Sequence, residues 1–529
     1  MEYSSLRALD KFWSRLWDTD PRYSQVPLDE PRSDSPMGTV GRSRNHEGGQ
    51  HPWHLPDDTS KWLWRISPWF IAAAFAKTQR RLPKKTPTSY LNGIRGIACV
   101  IVYLFHGTSF HDKFFYRAYG ADPAEENHYF TQLPIIRVMY AGKAMVAVFF
   151  VLSGFVLSYS PLRIMAEPSP SSDSALVTGL CSSILRRGVR LFAPMVAMIT
   201  MTCLMTWFYM PARPWHLQDD DHSLIRHIWE YFKLSLPLFN LYDWTRYTPS
   251  SFDHCWTLAA EFRGSMAVFL MCIATARLST AARKVTILFT AVWALLQHGR
   301  GDLFSFLVGM LLAECRHRPL SDLALVCKPK RKMRRPLRQA LAVCLLLASL
   351  VAMGWPEDGH GGVEPYKTMA ALVPDRWAQG AEDTTSFWGY VAAPGLLVAI
   401  DGLPAARRLL SAAPMLYLGE VSYSFYLLHW AAFAWPGRIL MDLFTGPLGW
   451  SRTWGMYGML LGTCIVLLWA ADLFWRTIDE GCVRLARGFV GWLGVYSPRE
   501  APRVNSTTGP VQEQSLELED MPLLKEEGL

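Results

Sequence analysis

Charge is scarce in this chain of 529 residues: Lys, Arg, Asp and Glu together make up 19%, against about 25% in a soluble domain. The apolar residues, half of the total, fall in long blocks and do not alternate, which excludes an ordinary soluble fold. Cysteine occurs ten times but never as CxxC, so neither a disulfide framework nor a zinc site is expected. A Gly-x-Ser-x-Gly turn is lacking; "LSGF" (152–155) has no leading Gly, so no acyl-serine nucleophile of that type is expected. Met1 is followed by polar and charged residues, and no cleavable signal peptide is expected. No internal repeat relates the two halves, as inverted-repeat transporters would show.

What is present is a multi-spanning pattern. About ten spans are expected, near 94–109, 141–160, 189–209, 255–276, 284–297, 302–315, 339–354, 387–401, 415–435 and 455–475. This is an all-α, multi-pass transmembrane bundle. Trp is abundant, at 22 residues, as expected of aromatic belts at two interfaces. The net charge of +8 is not a nucleic-acid signal, because the basic residues cluster between apolar blocks. Arg80, Arg81, Lys84 and Lys85, then Arg186, Arg187 and Arg190, then Arg283 and Lys284, then the run 328–338, then Arg407 and Arg408, mark every second loop. The intervening loops carry "ADPAEEN", "QDDD", "PEDG" and "AEDTT". The positive-inside rule then places both termini in the cytosol. Residues 1–60 and the tail within 481–529 read as mostly disordered, and "KWLWRISPWFIAAAFAK" (61–77) as an interfacial helix, with a basic linker to 86.

Three apolar blocks carry polar residues that a bilayer tolerates only when they are paired or used. In "YLNGIRGIACVIVYLFHG" (90–107), Arg95 and His106 are eleven residues apart. That spacing returns to one helix face after a rise of about 16 Å. In "FDHCWTLAAEFRGSM" (252–266), His254 and Glu261 share a face, and in "YLGEVSYSFYLLHW" (417–430), Ser422, Tyr426 and His429 form a polar stripe. Each group could simply hydrogen-bond between helices. Taken together, His106, Glu261 and His429 are expected at similar depth, lining a cavity that opens to the lumen. Arg95 with Arg186, Arg187 and Arg190 lies toward the cytosol, where guanidinium groups suit phosphates.

These blocks resemble the acyltransferase 3 family of integral membrane enzymes. Residues 90–107 are similar to its Y-L-D-G-L-R-G signature, with the R-x10-H spacing met by Arg95 and His106. "FFVLSGFVLS", "RRGVRLFAP", "WTLAAEF", "SFLVGMLLAE" and "LGEVSYSFYLLH" look like later blocks, in family order from about 87 to 480. Asn92 stands where many members have Asp, and Glu261 is followed by Phe-Arg-Gly-Ser, as in fungal members. The resemblance implies transfer of an acyl group, usually acetyl, from a thioester such as acetyl-CoA to a hydroxyl, with Arg95 and His106 essential. Acyl-CoA is then a co-substrate; no permanently bound cofactor and no metal are expected.

On that reading His106 is the general base, Glu261 holds its tautomer or stabilises its cation, and Arg95 orients the donor. The arginines at 186, 187 and 190 bind the donor, and His254, Ser422, Tyr426 and His429 line the acceptor cavity. The expected partners are membrane lipid, acyl-CoA and a small hydrophobic acceptor bearing a hydroxyl, such as a terpenoid or polyketide. The alternatives are O-acetylation of a lumenal glycan, and a proton-coupled transporter whose His and Glu carry protons. The expected location is an endomembrane or the plasma membrane.

Overall fold

The computed structural model describes residues 85–109, 113–166, 172–209, 223–240, 242–243, 246–249, 251–317, 335–357, 362–375, 377 and 386–495. The interfacial helix expected over 61–77, the segment 1–60 and the tail beyond 497 lie outside the described residues. Fifteen α-helices are present among the described residues, and the fold is all-α. They are α1 Ser89–Ser109, α2 Gly142–Ala166, α3 Ser172–Phe208, α4 Leu224–Ser235, α5 Trp256–Thr275, α6 Thr280–His298, α7 Gly301–His317, α8 Arg335–Met353, α9 Tyr366–Ala371, α10 Phe387–Gly402, α11 Pro404–Leu410, α12 Ala413–Ala432, α13 Arg438–Thr445, α14 Arg452–Phe474 and α15 Glu480–Trp492.

Six segments are long and apolar enough to cross a membrane: α1, α2, α3, Asp253–Thr275, α8 and Arg452–Trp492. A seventh is reached if α10 and α11, which meet at a bend of 101°, count as one broken span. The chain is a multi-pass membrane protein. The expected count of about ten is not reached by this measure. Helices do form at 284–297, 302–315 and 415–435, but α7 has only 17 residues. Further, α6 opens with Arg283 and Lys284, and α12 carries Glu420, Ser422, Tyr426 and His429. Their polar residues turn inward, and Arg283, Lys284, Ser422, Tyr426 and His429 are buried by protein.

Local signals set several helix ends. The Ser223, Ser279 and Ser451 side chains accept from the backbone N–H three residues on and cap α4, α6 and α14. Gly299, at φ 62°, closes α6 in the left-handed conformation that glycine adopts without strain. One boundary was misread from sequence: α3 starts at Ser172, not near 189, so Arg186, Arg187 and Arg190 lie inside a helix of 37 residues. At about 55 Å, α3 outruns the bilayer.

α2 is the central helix, in contact with α1, α3, α5, α7 and α10. It meets α7 backbone to backbone, since a Cβ on Gly154 would sit 2.0 Å from the Phe306 carbonyl oxygen and one on Gly309 would sit 2.2 Å from that of Val151. α1 meets α12 the same way: a Cβ on Gly96 would lie 2.7 Å from the Gly419 nitrogen, and one on Gly419 would lie 2.3 Å from the Asn92 carbonyl oxygen. Small residues let membrane helices approach this closely where no hydrophobic effect drives them together. Leu270, Phe289, Leu461 and Ile465, each more than 60% exposed, form part of the outer surface, which suits lipid.

Gly309→Ala places a methyl group against backbone that cannot yield. It is expected to destabilise by at least the ~1–3 kcal/mol typical of overpacking. Gly179→Ala, in α3 with nothing within 4 Å, is expected to be neutral or slightly stabilising. Thermal unfolding in detergent, followed by size-exclusion, separates the two.

Candidate active site

Two polar clusters lie along α1. The first surrounds His106. Its ring centroid is 5.2 Å from that of His429 on α12 and 5.2 Å from the Trp430 ring, while His254, just before α5, lies 4.7 Å from His429. His106 is half-buried; His254 and His429 are each 1% exposed. Tyr426 joins them, its ring 5.4 Å from both His254 and His429. Its hydroxyl reaches Thr257 Oγ1 at 2.6 Å and the His254 carbonyl at 2.9 Å. Thr257 is buried; sequence reasoning passed over it, although it is the second residue of the W-T-L block.

Arg246 stacks on Trp256, 4.1 Å above the ring, and lies within electrostatic range of His106. On the far side of Phe105, whose ring is 5.0 Å from that of His106, Tyr116 makes an edge contact at 5.8 Å. Tyr116 lines a small cavity with Phe115, Arg137, Tyr140, Trp355 and the Lys143–Glu357 ion pair. Burial pushes the Tyr116 hydroxyl up to about 12.

The second cluster surrounds Arg95. Its Nη2 donates to the Gly419 carbonyl at 2.6 Å, where α1 and α12 touch. Its Nε finds no acceptor among the described residues. Glu420, Asp479 and Arg190 lie within electrostatic range. Asn92 Nδ2 donates to Glu420 at 2.7 Å. This accounts for Asn92 in place of the usual Asp, since an aspartate would set a second carboxylate against Glu420.

Glu261 departs from the sequence expectation. Its carboxylate takes hydrogen bonds from Arg187 of α3 and Ser153 of α2, and not from His106. Arg187 Nε also donates to Ser265 at 2.9 Å. Seven residues beyond His254, Glu261 has descended about 10 Å, toward Arg95, which is within its electrostatic range. Seen this way, the Glu261-Phe-Arg-Gly-Ser265 block is the cradle of Arg187. In the same block a Cβ on Gly264 would strike the Phe306 ring, and Arg263 donates to the Asp243 carbonyl. Ser153 had no signal of its own beyond lying in the second-span block.

The remaining expected residues divide. Arg190 is exposed and belongs with Arg95 and Arg187. Arg186 Nε donates to the Ser182 carbonyl of its own helix. Ser422 donates to the Gly419 carbonyl and is not joined to the imidazoles. So of the stripe 422, 426 and 429, two members reach the His106 cluster. No group of three or more metal-binding side chains occurs among the described residues.

The Arg187–Glu261 pair is largely withdrawn from solvent, with side chains 15% and 14% exposed. Removing one partner strands the other. Glu261→Gln and Arg187→Leu are each expected to cost about 3–5 kcal/mol, and the double substitution to recover part of that loss. A double-mutant cycle on unfolding in detergent measures it.

The acyltransferase domain of the acyltransferase 3 family matches residues 88–475, most of the chain. Among curated proteins, an O-acetyltransferase, PaAT-1, of Phomopsis amygdali is 26% identical over 79% of this chain and 87% of its own length. An acyltransferase, clz18, of Cochliobolus lunatus and another, R4, of a Phoma species are each 24% identical over 70% of this chain, covering 87% and 86% of their lengths. No solved structure matches. The match to the family includes Arg95, His106, Glu261 and His429, and the transporter alternative is set aside: the chain belongs to the acyltransferase 3 family and is a membrane acyltransferase.

Proposed function

We propose that the protein moves an acyl group, acetyl in the first instance, from acyl-CoA to a hydroxyl of a small hydrophobic metabolite, with His106 as the general base. The observation that carries this reading is the imidazole cluster beside His106, walled by Tyr426 and Trp430 and set on the same helix as Arg95. One relative's name, O-acetyltransferase, supports acetyl and a hydroxyl acceptor. The aromatic rings packed around the imidazoles, Phe105, Tyr426 and Trp430, offer apolar faces to a hydrophobic acceptor.

The reaction balances without a further reagent. The alcohol oxygen attacks the thioester carbonyl carbon, and His106 takes the alcohol proton. The C–S bond breaks, and the proton passes to the departing CoA thiolate. An alcohol is a poor nucleophile at neutral pH, so a positioned base contributes about 10²–10⁴-fold. Glu261 is engaged by Arg187 and does not orient the His106 ring. Glu261 therefore serves the donor side by holding Arg187 in place. The exposed Arg190 offers its guanidinium group to the CoA phosphates, with Arg95 and Arg187 adding positive charge behind it. With both termini in the cytosol, the arginines face the cytosol and the imidazoles the lumen. The pantetheine arm then spans the ~16 Å between them along α1.

His106→Ala is expected to lower kcat by about 10²–10⁴-fold with acyl-CoA binding retained, whereas Arg95→Leu raises the KM for acyl-CoA. Activity of His106→Ala within a few-fold of wild type would remove the base assignment. In sealed vesicles, acetyl-CoA offered on the cytosolic face alone should support transfer. A requirement for lumenal acetyl-CoA would overturn the orientation.

A further inference from the structure

The two buried histidines beside His106 have fixed tautomers. His254 Nε2 lies 3.1 Å from the Leu427 carbonyl, and His429 Nδ1 lies 2.5 Å from the Tyr426 carbonyl. A carbonyl oxygen only accepts, so each of these nitrogens carries the proton. In a neutral imidazole the other nitrogen is then a bare lone pair. Those two atoms, His254 Nδ1 and His429 Nε2, are buried and have no hydrogen-bond partner among the described residues. The rings are 4.7 Å apart. Two consecutive carbonyls of α12 thus hold two neighbouring imidazoles so that each keeps an unused acceptor.

A buried acceptor left empty costs roughly 1–3 kcal/mol, and a membrane interior offers little water to relieve it. Nothing in the Arg95 cluster uses these atoms, and they do not take the reacting proton assigned to His106. What they lack is a donor. The lone pairs also reject a carboxylate or phosphate, which would bring more acceptors to the same place.

We infer that His254 and His429 form a receptor for O–H donors on the acyl acceptor. The protein then selects a diol or polyol, an alcohol with a further hydroxyl close to the one that is acylated. This rests on the acyl-transfer reading above. The reacting hydroxyl gives its proton to His106, and the neighbouring hydroxyl donates to His254 Nδ1 or His429 Nε2 and fixes which oxygen is presented. An acceptor with a single hydroxyl leaves the pair unpaired and binds less well. Sites built to hydrogen-bond a substrate group discriminate strongly against analogues that lack it.

The test starts from the deacylated metabolite that accumulates in a strain lacking this protein, used as the acceptor with acetyl-CoA and the full-length protein in detergent. That metabolite is expected to carry a second hydroxyl on the carbon next to the acylated one, or one carbon further. A metabolite without such a donor overturns the proposal. His254→Leu and His429→Leu are expected to raise the acceptor KM about tenfold each, a loss of one neutral hydrogen bond, with the acetyl-CoA KM unchanged. His254→Asn and His429→Gln, whose amide oxygens stand near Nδ1 and Nε2, should restore the acceptor KM to within about threefold of wild type. Leucine variants that leave the acceptor KM unmoved would mean that the pair holds a bridging water only, and the proposal fails. The same holds if the amide variants are as impaired as the leucine ones while unfolding at the wild-type temperature. Should His106→Ala keep its turnover while the leucine variants lose acceptor affinity, the base assignment falls and the receptor pair stands.

Discussion

The close approach of α1 and α12 is the contact on which the site depends. Gly96 and Gly419 leave no room for a Cβ at the crossing. Because the backbones touch there, Arg95 can donate directly to the Gly419 carbonyl and Asn92 can reach Glu420. Further along the same two helices, His106 comes within 5.2 Å of His429. A bilayer gives no hydrophobic reward for pairing helices, so steric fit and interhelical hydrogen bonds must do it. Here both operate at one place, and the geometry of the candidate site is a by-product of that fit.

The two clusters divide guanidinium from imidazole groups along α1. At one end, guanidinium groups are held by backbone carbonyls and by a carboxylate with two helices behind it. At the other, imidazoles sit among aromatic rings, held by carbonyls of α12. The separation keeps fixed positive charge, apart from Arg246, away from the imidazoles, which must stay neutral to accept protons or hydrogen bonds. Under the proposed function, it also leaves the anionic part of a CoA thioester and an apolar acceptor in surroundings that suit each.

Much of this was legible in the sequence. The all-α bundle followed from the apolar blocks, and the Arg95–His106 relation followed from helical spacing alone. His254 and His429 were recoverable as polar residues on apolar helices. Glu261 was placed correctly on its helix and then given the wrong neighbour. Spacing within a helix says which residues share a face, but not which other helix lies against it, and Arg187 arrives from α3. The misplaced start of α3 contributed, because the basic stretch was read as a loop. Length and composition confirm only six or seven of the roughly ten expected spans, for a related reason. α7 is a helix of the bundle but is short, at 17 residues, while the polar residues of α6 and α12, directed at protein, lower the hydropathy by which a span is recognised.

The glycine contact between α1 and α12 has a mechanical consequence. Gly419 and His429 are ten residues apart on one helix, an arm of about 15 Å. A tilt of about 4° at the contact therefore carries the His429 ring through about 1 Å, and an error of that size in a reacting geometry can cost about 10²-fold in rate. The contact behaves as a fulcrum set close to one end of a lever. A methyl group added there, a helix turn and more away, is magnified at the imidazole cluster.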